Sequence, residues 1–477
     1  MKILHITPHL GGGVGSTILG YLSKNKSFEH EIASFGYTMD YVLEKIESLK
    51  IPYTDHITHE ELIKKIPNFD IVLIHQWNSP LLMDFLVRNE LPPCRLVMLG
   101  HNSGFDAPNI YTEKILMYPD IFVFTTALSY HCYDVKRLPH IFSGSIGGAL
   151  EITTERHLRN KIIYNIWSTD GVEEYKDIER KDGHKGFNIG YIGTVDYAKL
   201  HPDFLEMCKE IIDLDIIPHL KFIVIGGLKQ EEIESEAKEM GIADKFEFTG
   251  YVPKETLKNY LESFDVFGYP LAPYHYGTCD LVLQIAMAAG VVPIVFNNAM
   301  EKLFIKNNKT GIIVKDKKEY VQAIENMYKN INWRKELGKN AKEDAIKRFT
   351  LENLNNEWEK VFKKVLEYRK VSRKWDINKK EITYKDVFLE SLGKYAKPFI
   401  VEEENRETIK DVIKKMESET DKAVQILIES GTREIKELAK IPSWQTDTKG
   451  SVHNYHSYFP DDPNLSKWSK LMKSELK

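Results

Sequence analysis

Pro273-Tyr274-His275-Tyr276-Gly277-Thr278-Cys279-Asp280-Leu281-Val282-Leu283-Gln284-Ile285-Ala286-Met287-Ala288-Ala289-Gly290-Val291-Val292-Pro293-Ile294-Val295-Phe296 is the most informative stretch of the chain. It reads as a polar, glycine-containing loop, then an apolar helix over 281–289, then a strand over 292–296. The unalternating apolar residues of the strand suit a parallel sheet covered on both faces. Thr278 stands where it would cap the helix, with free N–H groups aimed at an anion. Asp280 falls in the expected first turn, where a carboxylate complements the helix dipole whatever else it does. The glycine, the polar run and the preceding loop favour a ligand site over that plain role.

The same alternation extends in both directions. Upstream, strands are expected at 188–192, 221–225, 246–249 and 265–269, with helices at 202–213 and 230–240; a further strand follows at 311–314. The first third repeats the scheme with strands at 2–7, 31–35, 70–75, 95–99 and 121–125, and a helix near 14–23. Strand–helix alternation implies βαβ units, so two doubly wound domains are expected in tandem, with a cleft between them as the default ligand site. The charged segment 169–186 reads as a linker or exposed loop. Helices are expected at 317–329, 333–348 and 351–369, the last with Leu354, Trp358, Val361, Phe362 and Val365 along one face. Beyond about 372 the composition shifts to a charged stretch, 402–440, and an end rich in aromatics and proline.

The bulk properties fit this division. A chain of 477 residues exceeds one hydrophobic core. Its 42% hydrophobic and 28% charged residues are ordinary for a globular protein, and the net charge of -5 gives no whole-chain attraction to nucleic acid. The first seven residues are too short an apolar run for a signal peptide, and no apolar run reaches the roughly 18 residues of a membrane span. The four cysteines lie far apart with no C-x-x-C pair, which indicates neither a zinc site nor a disulfide framework and fits a cytoplasmic setting.

Two glycine loops follow strands. Gly11-Gly12-Gly13-Val14-Gly15-Ser16 lets backbone approach a phosphate or sugar at a helix terminus, although it matches neither the P-loop nor the G-x-G-x-x-G spacing. Gly190-Tyr191-Ile192-Gly193-Thr194 opens the second domain alike, and Lys199 in its loop could neutralise a diphosphate or remain a solvated lysine. His75-x-Trp77 ends a strand and either lines the cleft or packs there. Asp213-Leu214-Asp215 reads as a solvated turn rather than a metal site. His453 and His456 have no third ligand partner in sequence.

Over roughly 1–370 the chain resembles glycosyltransferase family four. The resemblance rests on the early glycine loop, Gly190–Lys199, Gly226-Gly227, Phe248-Thr249-Gly250-Tyr251-Val252-Pro253 and Tyr274–Pro293. It implies the GT-B architecture, an α/β fold of two Rossmann-like domains with parallel sheets facing across a cleft. A first domain, 1–166, would hold the acceptor, completed by a helix at about 350–371 crossing back. A second domain, 167–349, would hold a nucleotide-sugar donor. A mainly helical extension, 372–477, lies outside the resemblance.

By the same resemblance, His101, Lys199 and Asp280 are catalytic candidates. Gly12, Gly13, Gly193, Thr194, Gly227, Tyr251, Val252, Gly277, Thr278, Cys279 and Gln284 are donor-binding candidates. Thr194 stands where many members carry a second basic residue. The family's two glutamates, eight apart, would fall near Gly277 and at Ile285, and neither position is acidic. Asp280 is therefore expected to take the sugar-hydroxyl role, with Gln284 standing in at the ribose. The implied activity is metal-independent sugar transfer to a hydroxyl with retention of configuration, in glycan or glycoconjugate biosynthesis, without a cofactor. The acceptor would be a glycan, a lipid-linked glycan or a small molecule. The extension offers a route to homo-oligomers or to peripheral association with the inner membrane face. A catalytically impaired binding protein and a nucleotide-sugar epimerase of the same fold are the alternatives.

Overall fold

The computed structural model describes residues 1–104, 107–132, 141–143, 151–153, 162–166, 169, 171–179, 186–197, 199–227, 229–273, 279–404, 435–441, 444 and 448–473. The chain divides into two compact units, Met1–Ile166 with Glu357–Lys477, and Trp167–Asn356. No helix among the described residues is long and apolar enough to cross a membrane.

The first unit is built on a seven-stranded sheet ordered Ile162–Asn165, Ile121–Phe124, Leu96–Gly100, Ile71–Gln76, Lys2–Thr7, Glu29–Ser34, Tyr53–Thr54. Every pairing in it is parallel. The strands lie within about two residues of their expected positions. The short strand Tyr53–Thr54 and the edge strand Ile162–Asn165 had no run long enough to announce them. Glu90–Cys94 also pairs, antiparallel, with Val371–Lys374. Pro92 and Pro93 hid that strand, because prolines deny the ladder its donors and are tolerated only at such an edge.

The second unit has six strands ordered Phe246–Gly250, Leu220–Ile225, Phe187–Ile192, Val266–Tyr269, Val292–Phe296, Ile312–Val314. These too are all parallel. Chain order reverses on either side of Phe187–Ile192, the first strand of the unit. Such a switch point opens a crevice at the carboxyl ends of the strands, between this one and Val266–Tyr269.

Two expectations are corrected. The helix after the first strand begins at Gly12, not Val14. Gly15 N–H already donates to Gly11 O at 3.1 Å, so Gly12 and Gly13 form its first turn instead of a free loop. The segment 169–186 is not simply exposed either. Thr169, Val172 and Tyr175 are buried, and the Thr169 hydroxyl donates to Phe349 O at 3.1 Å. The many charges there concealed an apolar residue every third position, one turn's spacing.

The division between the units falls inside the helix Leu351–Leu366. Its Trp358 and Phe362 stack on each other and meet Tyr21 of the first unit. Residues beyond 371 enter the first unit's core. Trp375, Phe388, Phe399, Trp444, Tyr455 and Trp468 share one apolar cluster with Phe85, Met98 and Phe122 under the sheet. Trp468 also donates its indole N–H to the buried Glu402 carboxylate at 2.7 Å. Trp468→Ala is therefore expected to cost about 3–5 kcal/mol through the cavity it leaves. Urea unfolding of the first unit measures it, and a loss under about 1 kcal/mol would show that the extension is only loosely attached.

Candidate functional site

The second unit gathers most of the sequence candidates at its switch point. The strand Phe187–Ile192 ends at Gly193, whose φ of 151° is open only to glycine. Gly193 N–H donates to Ile225 O at 2.9 Å, and Gly226 N–H donates to Gly250 O at 2.9 Å. Three strand ends are thus tied together by backbone. A Cβ at Gly227 would lie 2.6 Å from the Tyr251 ring, so that ring covers the glycine while staying 81% exposed. Val252 is half-buried beside it, at the entry to the helix Lys254–Ser263. Thr194 accepts the Tyr191 hydroxyl through its carbonyl at 2.7 Å, so its backbone braces the loop.

Lys199 reaches across this loop. Its ammonium is 3.8 Å from Asp280 Oδ1 and 5.3 Å from the centre of the Tyr269 ring. Its carbonyl accepts Ala272 N–H at 2.8 Å, which fixes the loop to the following strand's end. The Asp280 side chain is only 2% exposed. The Tyr269 hydroxyl donates to its Oδ1 at 3.0 Å, and its Oδ2 is buried with no hydrogen-bond partner among the described residues. A buried carboxylate oxygen left without a donor costs on the order of 1–3 kcal/mol, and this one has room in its chemistry for one more hydrogen bond. Burial, then the neighbouring carboxylate, pushes the Tyr269 phenol well above its usual range, so it stays protonated as the donor.

Asp280 does not lie in the first turn of its helix. The helix is Leu281–Ala288, and Asp280 precedes it with φ 26°, a conformation that aspartate tolerates better than most residues. That turn aims the carboxylate back at Tyr269 and Lys199. Cys279 is buried, and its carbonyl accepts Gln284 Nε2 at 2.7 Å. Gln284 therefore ties its own helix to the preceding loop, and Ile285 packs into the core. Gly277 and Thr278 lie outside the described residues.

The remaining candidates, Gly12, Gly13 and His101, belong to the first unit. His101 ends a row of rings that the sequence reading missed. His101 Nε2 is 2.9 Å from His75 Nδ1, His75 Nε2 is 3.1 Å from His5 Nδ1, and His5 Nε2 is 3.0 Å from His30 Nδ1. His30 Nε2 ends the row 3.2 Å from Asn25 Oδ1. The amide oxygen only accepts, so each ring carries its proton on Nε2 and donates to the next. Protons assigned this way leave His101 Nδ1 without a hydrogen, as an acceptor. The available signal was a histidine inside each of two otherwise apolar strands, Lys2–Thr7 and Ile71–Gln76.

Burial drives every one of these rings toward the neutral form. His5 and His75 fall well below 6.5, His30 to about 4, and His101 to about 3 with a further push from Lys449. An unfolded chain takes up these protons below 6.5 while the folded unit refuses them. Stability is thus fully present above 6.5 and is lost as pH falls toward 4. The urea midpoint of the first unit should drop between pH 7.5 and 5.5, above the range where ordinary carboxylates titrate; a flat profile would contradict the neutral row.

Among the described residues, no three His, Cys, Asp or Glu side chains converge as metal ligands. Comparison with known proteins gives the following. Residues 173–344 match the family model "Glycosyl transferases group 1". The chain is 23% identical over 248 residues to the human GDP-Man:Man(3)GlcNAc(2)-PP-Dol alpha-1,2-mannosyltransferase, covering 47% of each. It is 25% identical over 218 residues to an uncharacterized glycosyltransferase of Methanocaldococcus jannaschii, covering 43% of this chain and 54% of that one. The match thus spans about half the length of these curated relatives. The structure of Anabaena HepE in complex with UDP-glucose superposes with a TM-score of 0.59 at 12% identity, over 76% of this chain and all of that one. The fold is thereby shown to be the GT-B type, two Rossmann-like α/β units with a mainly helical C-terminal part.

Proposed function

We propose that this protein is a glycosyltransferase that moves a sugar from a nucleotide-sugar donor to a hydroxyl acceptor. The observation that carries the reading is the convergence of Lys199, Tyr269 and Asp280 at the switch point of the second sheet, where the sequence match also lies. Lys199 supplies the positive charge that a departing nucleoside diphosphate needs, in surroundings dry enough to strengthen it. Asp280, anchored through Oδ1, offers Oδ2 to a sugar hydroxyl. The glycine backbone at 193 lets a phosphate approach beside Lys199 without a side chain of its own in the way. The relatives' names supply the donor class: UDP-glucose for the Anabaena protein and GDP-mannose for the human one.

In the finer reading the reaction retains anomeric configuration: the acceptor oxygen attacks on the face the diphosphate leaves, through an oxocarbenium-like transition state. No carboxylate is assigned as a covalent nucleophile. Lys199 and backbone N–H groups take the part a metal ion would otherwise play, and no cofactor is required. The acceptor hydroxyl belongs to a glycan, a lipid-linked glycan or a small molecule.

Ile285 favours a second reading, an inert nucleotide-sugar-binding protein, because an apolar, buried side chain stands where the resemblance calls for an acid. One set of measurements separates the two. Uridine and guanosine diphosphates and their sugars are screened for a rise in melting temperature, since a ligand bound to the native state stabilises it by mass action. Each stabilising nucleotide-sugar is then assayed for release of its diphosphate. Stabilisation with release supports the transferase, stabilisation without release supports the inert binder, and no stabilisation by any of them removes both.

A further inference from the structure

Four histidines climb across one face of the first unit's sheet in equal steps. His30 is level with Ile3 on the neighbouring strand, His5 with Leu73 and His75 with Leu99. Each next histidine therefore stands two residues further toward the strands' carboxyl ends, and a two-residue step keeps side chains on the same face. The climb ends at His101, just past the strand Leu96–Gly100. Chain order in this sheet reverses on either side of Lys2–Thr7, so its switch-point crevice opens beside the carboxyl end of Ile71–Gln76. His101 is tied to that end. Its N–H donates to Gln76 O at 2.8 Å, and its half-buried ring meets Trp77 edge to face at 6.0 Å.

The row carries orientation, not charge. His5 and His75 are almost fully buried, and such rings are costly in a sheet unless both nitrogens are hydrogen-bonded. The far end of the row is the side-chain oxygen of Asn25, itself buried at the end of the helix Gly12–Lys24. An amide oxygen is too weak a base to take up a proton, so the row is closed as a proton path. Its direction is nevertheless set. Because that oxygen only accepts, all four rings donate the same way, and aligned hydrogen bonds polarise one another. Tyr21 packs edge-on to His30 at 5.5 Å and lies 6.3 Å from His5, which helps hold the rings in line. With water at the far end either direction would satisfy the rings; Asn25 allows one.

We propose that Asn25, His30, His5 and His75 are positioning residues for His101: they hold its ring with the hydrogen on Nε2, so that Nδ1 presents an acceptor to a sugar hydroxyl in the switch-point crevice. The proposal rests on the glycosyltransferase reading and deepens it, since it gives the first unit's contact with the sugar a polarity. A hydroxyl that donates to Nδ1 is fixed in direction. With the opposite tautomer the ring would offer N–H there, and the same hydroxyl would have to accept. Burial and the Lys449 charge keep the ring neutral, so the tautomer is what matters at neutral pH.

The test is nitrogen NMR of full-length protein isotope-labelled at histidine, beside steady-state kinetics of sugar transfer. The His101 signals are assigned by their absence in His101→Gln, and ring nitrogens with and without a hydrogen are resolved by their shifts. Two variants cut the row at different places. Asn25→Leu removes the terminal acceptor, and His5→Phe keeps a buried ring in the middle without its hydrogen bonds. The expected result is a single Nε2–H tautomer of His101 in wild type and a mixture of both tautomers in either variant. In the same variants kcat falls by roughly five- to tenfold, the worth of one hydrogen bond. A wild-type His101 protonated on Nδ1 overturns the proposal, whether or not the variants fold. So does a lowered kcat with the tautomer unchanged, which marks a purely structural role, and so does a mixed tautomer with kcat unchanged. If wild type transfers no sugar from any nucleotide-sugar while both variants mix the tautomer, the glycosyltransferase reading falls and the tautomer-setting row stands.

Discussion

Lys199→Ala lowers the rate of sugar transfer by roughly 100- to 1,000-fold, the cost of deleting one preorganised group that stabilises charge developing in a transition state. The loss falls mainly on kcat. On the proposed reading the ammonium would meet the donor's diphosphate in the ground state, but its charge would matter most as the glycosidic bond breaks and the leaving group gains negative charge. Two features make the site unforgiving. The lysine is backed by the Asp280 carboxylate and the Tyr269 ring, and Thr194, where a second basic residue is common in the resembling family, leaves it without a cationic partner in that loop. Steady-state kinetics of wild type, Lys199→Ala and Lys199→Arg check this, with partial recovery expected in the arginine variant. Full transfer by Lys199→Ala would show that the diphosphate is neutralised elsewhere.

Gly226→Ala abolishes nucleotide binding and destabilises the second unit. A methyl group at this position would overlap the Gly193 carbonyl oxygen, and the obstacle is backbone that cannot swing aside. The φ of Gly226, 137°, is also strained for any other residue. The strand ends would have to part, breaking the bonds from Gly193 to Ile225 and from Gly226 to Gly250. The expected cost is several kcal/mol, since strain and two buried backbone bonds are lost together. Gly12→Ala is the informative contrast: it also has a positive φ, 55°, but nothing within 4 Å of the added methyl. Melting curves and nucleotide titrations of both variants measure this; a Gly226→Ala protein that melts and binds like wild type would mean the two loops are not locked together.

Some features of the protein are legible in its sequence and others are not, for physical reasons. Both parallel sheets were legible because strands covered on two faces, such as Ile71–Gln76 and Val292–Phe296, read as unbroken apolar runs flanked by helices. Lys199 and Asp280 were legible as candidates because each follows a strand end or a glycine loop. Their contact was not, since 81 positions separate them and only the switch point joins their loops. Tyr269 was hidden as the last apolar-looking residue of its strand, and its hydroxyl matters only once the Asp280 turn is known. The turn itself, with positive φ before the helix, leaves no mark beyond an aspartate. The histidine row depends on register: Lys2–Thr7 aligns His5 with Leu73, and Ile71–Gln76 aligns His75 with Leu99. No local pattern reports which neighbours those registers supply. The C-terminal tryptophans were visible, but their place in the first unit's core depends on packing across long sequence separations, 257 positions for Trp375 on Tyr118.

The most direct test of the central claim is amide hydrogen exchange of the full-length protein with and without a nucleoside diphosphate found to stabilise it. Binding at the switch point predicts slowed exchange at 193–199, 226–227 and 251–252, and the same map in Lys199→Ala should lose that protection at equal ligand concentration. Protection confined to the first unit, or protection of the second unit elsewhere than its strand ends, would contradict the account.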